Sequence, residues 1–236
     1  MSRFKLQRCR HAPTITRRWR RGCYLALAAL IGCTHRPEAG RIEAGVEQRI
    51  VEDARPDTSR FMLFDWSLRE GQSRFSGAGA ARVTPDYRAR LDLFGPQDVP
   101  YLSAILRQDR LLLPAGVPAR VVPPAPLLWS ALGVIRPPAG AVVTTAEVNG
   151  EEGRLAYRAD DGIWTFRTRR GVLVAAEWQA ADGARHTVEL TGAVSGAAPA
   201  RALYRDWQEY RELVLELEQQ EAVDGFPPET WTLEAR

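Results

Sequence analysis

Residues 144–191, TTAEVNGEEGRLAYRADDGIWTFRTRRGVLVAAEWQAADGARHTVELT, decide the fold class. Asn149-Gly150, Asp161-Gly162 and Asp182-Gly183 each separate two runs in which apolar and polar residues alternate. Such dipeptides accept the positive φ angles of tight hairpin turns, and a period of two belongs to strands with one buried face. The stretch therefore predicts strands over 144–148, 153–159, 163–168, 172–178 and 185–191, joined antiparallel in chain order. The chain is expected to be mainly β.

On the N-terminal side of this meander the pattern breaks between Leu113 and Val142. There Pro114, Pro118, Pro123, Pro124, Pro126, Pro137 and Pro138 enclose Leu127, Leu128, Trp129, Leu132, Val134 and Ile135. Proline just before and just after an apolar run bounds a helix, predicted over 126–134. With no polar face, that helix must be covered. It either plugs the concave side of the sheet or acts as a lid over a lipid cavity, and the plug is the plainer reading.

Further upstream the alternation resumes. Met62, Phe64, Trp66 and Leu68 share one face of a strand, and Tyr87, Ala89, Leu91 and Leu93 oppose Arg88, Arg90 and Asp92 on another. Between them, Phe75, Gly77, Gly79 and Ala81 leave a strand face almost without bulk. Glycines there mark a bend of a curved sheet or a close approach to the backbone, and the bend is the favoured reading. Downstream, Leu213, Leu215 and Leu217 alternate with Val214, Glu216 and Glu218, a period of two that no helix places on one face. Strands are thus expected over 201–221 despite a charge density that suits a helix, and a last one is expected around 230–234, after Pro227-Pro228.

The N-terminal region has another character. Residues 1–32 carry eight of the 32 Lys+Arg and none of the 29 Asp+Glu, and Arg17, Arg18, Arg20 and Arg21 precede a nine-residue apolar run ending in Leu30-Ile31-Gly32-Cys33. The run is too short to span a bilayer, and basic, apolar and small residues in that order form an export signal. Its end resembles the lipobox of bacterial lipoproteins, which implies removal of 1–32, acylation of Cys33 (palmitate among the chains) and anchoring to membrane through that lipid. Thr34 in place of an aspartate favours the outer membrane, with the domain facing the periplasm. What then remains has 24 arginines against 29 acids, a net charge of −5. The basic balance belongs to the signal, so nucleic acid is not an expected partner. Residues 33–59 read as a tether with a short helical stripe of Ile42, Val46 and Ile50, either packed on the domain or a loose leash.

Four stretches, 75–83, 87–96, 111–114 and 127–137, resemble in layout and phrasing the LolA/LolB-like superfamily of lipoprotein carriers and outer-membrane lipoprotein receptors. The resemblance covers 60–236. It implies a strongly curved antiparallel half-barrel of about eleven strands around a hydrophobic cavity, with one or two helices covering its mouth. The implied ligand is a lipid or the acyl chains of an acylated protein. Leu111, Leu112, Leu113, Leu127, Leu128, Trp129 and Leu132 are the residues expected to reach it.

Catalytic chemistry finds little support. Past the signal the histidines are His35, in the tether, and His186, which shares a strand face with Val188 and Leu190. Neither a zinc site nor a histidine triad follows from these, and Glu151-Glu152 and Asp160-Asp161 flank turns where acids serve solvation. No catalytic residue, cofactor or metal is expected. Two functions are left: binding of lipid or acyl chains in a cavity, and an assembly role in which the lipoprotein binds another envelope protein with no internal ligand. A filled concave face would favour the second.

Overall fold

The computed structural model describes residues 41–118, 120, 122–194 and 196–233. The expected export signal over 1–32, Cys33 and the expected tether as far as residue 40 lie outside the described residues.

The chain begins with α1 (Val46–Asp53) and five strands: β1 (Ser59–Glu70), β2 (Ser73–Thr84), β3 (Arg88–Phe94), β4 (Pro100–Arg107) and β5 (Arg110–Leu112). The helix α2 (Ala125–Ala131) follows. Then come β6 (Val142–Asn149), β7 (Glu152–Ala159), β8 (Gly162–Arg169), β9 (Val172–Ala180), β10 (Arg185–Thr191), β11 (Arg201–Asp206) and β12 (Arg211–Val223). The twelve strands form one antiparallel sheet in the order β5-β4-β3-β2-β1-β12-β11-β10-β9-β8-β7-β6. It is a curved half-barrel, with β5 and β6 as its two edges. Each half of the chain is a meander, and β1 against β12 joins them over twelve paired positions.

Side-chain alternation places the core on one face. A single row runs from edge strand β6 across nine strands through paired positions: Ala146, Leu155, Phe166, Ala176, Val188, Tyr204, Leu213, Leu68 and Phe75. All but Phe75 are buried. Burial of such a row, at about 25 cal/mol per Å² of apolar surface, drives the sheet to curl around whatever covers it.

The glycines of β2 serve close approach. A Cβ on Gly79 would lie 2.3 Å from the Phe64 ring, and one on Gly77 would lie 1.9 Å from the Phe94 carbonyl oxygen. Trp66 Nε1 donates to that same carbonyl at 2.9 Å. Of the two sequence readings of these glycines, close approach is present: the protein's own Phe64 ring and Phe94 backbone take the space.

Two other boundaries differ from expectation. The helix predicted over 126–134 ends at Ala131, because Gly133 takes φ 80° and the amides of Gly133 and Val134 bond back to the carbonyls of Ser130 and Trp129. That is the paired pattern of a glycine-terminated helix. The strand expected around 230–234 is a 3₁₀ turn, Pro228–Trp231. Its carbonyls are taken by arginine side chains instead of a neighbouring strand: Arg90 Nη1 donates to Thr230 and Thr232 at 3.0 Å each, and Arg107 donates to Trp231. The strands expected over 201–221 are present as β11 and β12. Of the expected stripe, Val46 and Ile50 are buried in α1, which packs on β6 and β7, whereas Ile42 precedes the helix, bridges to Ala146 and is exposed.

Candidate functional site

The covered face of the sheet is the candidate site, and α2 is what covers it. Leu127, Leu128 and Trp129 are fully buried and Leu132 nearly so, and the helix lies against β9, β10 and β11. Leu111 and Leu113 are half-buried against the same core, whereas Leu112, between them, turns to the other side and is 38% exposed. Six of the seven expected leucines and tryptophan therefore meet around the core. Strand alternation separates the seventh.

Polar contacts of α2 concentrate at the β4–β5 turn. Trp129 Nε1 donates to the Gln108 carbonyl at 2.7 Å, and Arg136, just past the helix, donates to Gln108 Oε1 at 2.6 Å. Gln108 is held in turn by its amide on the Tyr87 carbonyl (2.8 Å) and by its Nε2 on the Asp86 carbonyl (3.1 Å). The Tyr87 ring meets Trp129 edge-on at 6.1 Å, and the Arg136 guanidinium lies 4.7 Å above it. Sequence reasoning missed Gln108 and Tyr87 because their role depends on two turns meeting in space.

Little room is left beneath the helix. A half-open pocket beside the end of the helix, lined by Met62, Phe64, Ala131, Leu132, Pro199 and Leu215, has about 20 Å³, room for about one water. The helix lies where a core plug and a closed lid would both lie. A broader open cleft of about 460 Å³ lies between α1 and residues 136–141, with Tyr157 on its wall. Burial, reinforced by the Glu47 carboxylate, pushes the Tyr157 phenol above its usual range.

A ladder of stacked rings continues the covered face over four strands. Trp164 stacks on Trp178 at 5.1 Å, Trp178 on His186 at 4.8 Å, and His186 on Tyr204 at 6.1 Å. His186 Nδ1 and the Tyr204 hydroxyl share a hydrogen bond of 2.9 Å. Burial pulls the His186 pKa below its ordinary value, opposed by the Asp206 carboxylate 3.9 Å away. His186 is thus a packed, hydrogen-bonded ring and not a base aimed at a cleft.

This fold is shared with solved structures. A LolA superfamily protein from Nitrosomonas europaea aligns with TM-score 0.53 at 14% identity, over 79% of this chain and 97% of that one. This chain has the LolA-like fold. A domain assigned to outer membrane lipoprotein sorting, from Vibrio parahaemolyticus, aligns at 0.54 and 11% identity, over 79% and 94%. A DUF1329 family protein from Desulfovibrio piger aligns at 0.54 and 9% identity, over 82% and 98%. No family model and no curated protein matches the sequence. The LolA-like sheet is thus carried here by alternation and turns, with almost none of the residues kept.

Proposed function

We propose that this protein is a non-enzymatic bacterial envelope lipoprotein, anchored to the outer membrane through lipid on Cys33, that binds lipid or the acyl chains of lipoproteins on the concave face of its LolA-like sheet. The observation that carries this reading is the apolar row across the sheet, covered by α1 over β6 and β7 and, over β9 to β11, by the seven-residue α2 strung between proline-rich segments. With every residue of α2 buried and about 20 Å³ in the pocket beside its end, an acyl chain reaches this face by displacing α2.

Magnitudes decide which ligands can do that. Exposing Leu127, Leu128, Trp129 and Leu132 costs about 6–12 kcal/mol, at about 1.5–3 kcal/mol per side chain. One acyl chain of about fourteen methylenes regains about 11 kcal/mol, at about 0.8 kcal/mol each. A single chain therefore about balances the helix, while two or three chains on one ligand outweigh it. A triacylated lipopeptide is expected to bind the full chain at least about a hundred-fold more tightly than palmitate does. Titration of both ligands, followed by tryptophan fluorescence, measures that ratio. Native mass spectrometry with lipid extraction then shows whether an acylated molecule co-purifies in stoichiometric amount.

The filled covered face favours a second reading, an assembly lipoprotein that binds another envelope protein with α2 as a permanent core element. A clean apo mass and equal, negligible uptake of both ligands would establish it over the first.

A further inference from the structure

Four aromatic side chains are exposed among the described residues, and all four gather at one end of the sheet. Trp207, 46% exposed, and Tyr210, 76% exposed, stand in the β11–β12 turn. Phe75 and Tyr101 stand close to the β1–β2 and β3–β4 turns. Pairing of Glu70 with both Ser73 and Arg211 sets the β1–β2 and β11–β12 turns side by side. The Tyr101 ring lies 5.8 Å from Phe75 and 4.7 Å from the buried Trp66, so this part of the patch has its floor in the core. Trp207 Nε1 donates to Thr187 Oγ1 at 3.1 Å, and the guanidiniums of Arg185 and Arg205 lie 5.6 and 5.5 Å from its ring. Acids of the same turns are engaged within the protein: Glu70 and Glu209 meet Arg211 at 2.5 and 2.8 Å, and Asp206 accepts from the amides of Gln208 and Glu209 at 3.0 Å each. Exposed aromatics gathered in one place mark a surface that something else covers.

The described chain enters the sheet from the same side. Ala146 of edge strand β6 donates to the Arg41 carbonyl at 2.9 Å and accepts from the Glu43 amide at 2.8 Å, so residues 41–43 run parallel to β6. Pairing leads from Val142, at the start of β6, through Arg158, Ile163, Gln179 and Arg185 to Trp207, whose amide donates to the Arg185 carbonyl. Of residues 41–43, Arg41 is therefore the nearest to the aromatic end. Cys33 precedes it by eight residues, about 26–29 Å of fully extended chain. From Ala146 to Val142 the strand covers only about 14 Å. The link is long enough for Cys33 to lie beyond this end.

We propose that this end of the sheet is a membrane-docking surface, with Trp207, Tyr210, Phe75 and Tyr101 resting in the headgroup layer of the bilayer that holds the Cys33 lipid. The identity of the covering surface rests on the lipid anchor proposed at Cys33. Tryptophan and tyrosine, each an apolar ring with a polar tip, concentrate at membrane–water interfaces. A lipid anchor within that reach raises the effective concentration of bilayer at the patch, so shallow contacts suffice to hold it there. Docking in this way turns the opposite end of the sheet, with the β6–β7 turn, away from the bilayer.

Site-specific labelling of the protein, made with its own leader, tests the surface. Its intact mass first reports whether Cys33 is acylated. Cys9 and Cys23 precede Cys33 and no cysteine follows it, so an added cysteine is the one free thiol of a processed, acylated chain. Tyr210→Cys and Asn149→Cys, at exposed positions on opposite ends of the sheet, carry a nitrobenzoxadiazole label. A chain without acyl groups is labelled in a Cys33→Ser background. On vesicles of phosphatidylethanolamine and phosphatidylglycerol, the Tyr210→Cys label is expected to shift to the blue and to be quenched by nitroxide-bearing lipid, while the Asn149→Cys label does neither. A Tyr210→Cys label as water-exposed as that of Asn149→Cys, or an equal shift in both, overturns the proposal. A shift that grows with protein concentration without vesicles also overturns it and identifies a second copy of the chain as the cover. Acylated Cys33 with an unshifted Tyr210→Cys label keeps the anchor and removes the docking surface; unacylated Cys33 with a shifted label does the reverse.

Discussion

Gly77 and Gly79 stand two residues apart on the same face of β2, and they yield to substitution differently. A Cβ at Gly79 meets the edge of the Phe64 ring, which can rotate away in part, so Gly79→Ala is expected to cost about 1–3 kcal/mol. A Cβ at Gly77 meets the Phe94 carbonyl, which is backbone and already accepts from Trp66. Gly77→Ala is expected to cost more, and the ordering of the two urea midpoints checks it. His186 gives a pH signature with a definite sign. Its folded pKa lies below the unfolded value of about 6.5, so the unfolded chain binds the proton first and stability falls as pH drops through about 6.5. Tm is expected to decline between pH 7.5 and 5.5 more steeply in the wild type than in His186→Gln. Equal slopes would mean that the ring is hydrated in the native state.

At the scale of elements, α2 is a seven-residue helix with every residue buried, too short to persist without its contacts. Leu128→Ala is expected to cost about 2–5 kcal/mol through the cavity it leaves. Trp129→Phe keeps most of the packing but drops the bond from Nε1 to the Gln108 carbonyl, a loss of about 1 kcal/mol. If α2 moves aside for acyl chains, the same change tightens lipopeptide binding about five-fold, since the helix is easier to displace. Unaltered affinity in Trp129→Phe would make the helix a fixed plug. The prolines around α2 announced it in the sequence, and Gly133 was the available signal for its end. Its attachment to Gln108 was not legible, because the β4–β5 turn comes near only when the sheet folds over.

Across the whole molecule, the outer face of the sheet also takes part in holding the chain. Asp92 accepts from Arg82 at 2.8 Å, Arg90 at 2.9 Å and Ser103 at 2.8 Å, and Arg90 reaches on to the carbonyls of the final 3₁₀ turn. In the sequence Arg90 and Asp92 were the polar side of an alternating strand; their clamp spans residues 90 and 232, a separation that no local pattern encodes. Much of the architecture was nevertheless local: hairpin dipeptides fixed the turns, a period of two fixed the covered face, and proline bounded the one covered helix. Six of the seven candidate residues reach the core for the same reason, as apolar residues with nowhere else to go, and Leu112 does not. By itself the sequence determined a meandering, one-face-buried β sheet and the helix that covers it, since turn chemistry and alternation act over a few residues. Only the tertiary structure decided how full the concave face is and which groups need the space at Gly77 and Gly79. Each of those depends on contacts between residues distant in the chain, and packing across the sheet sets them.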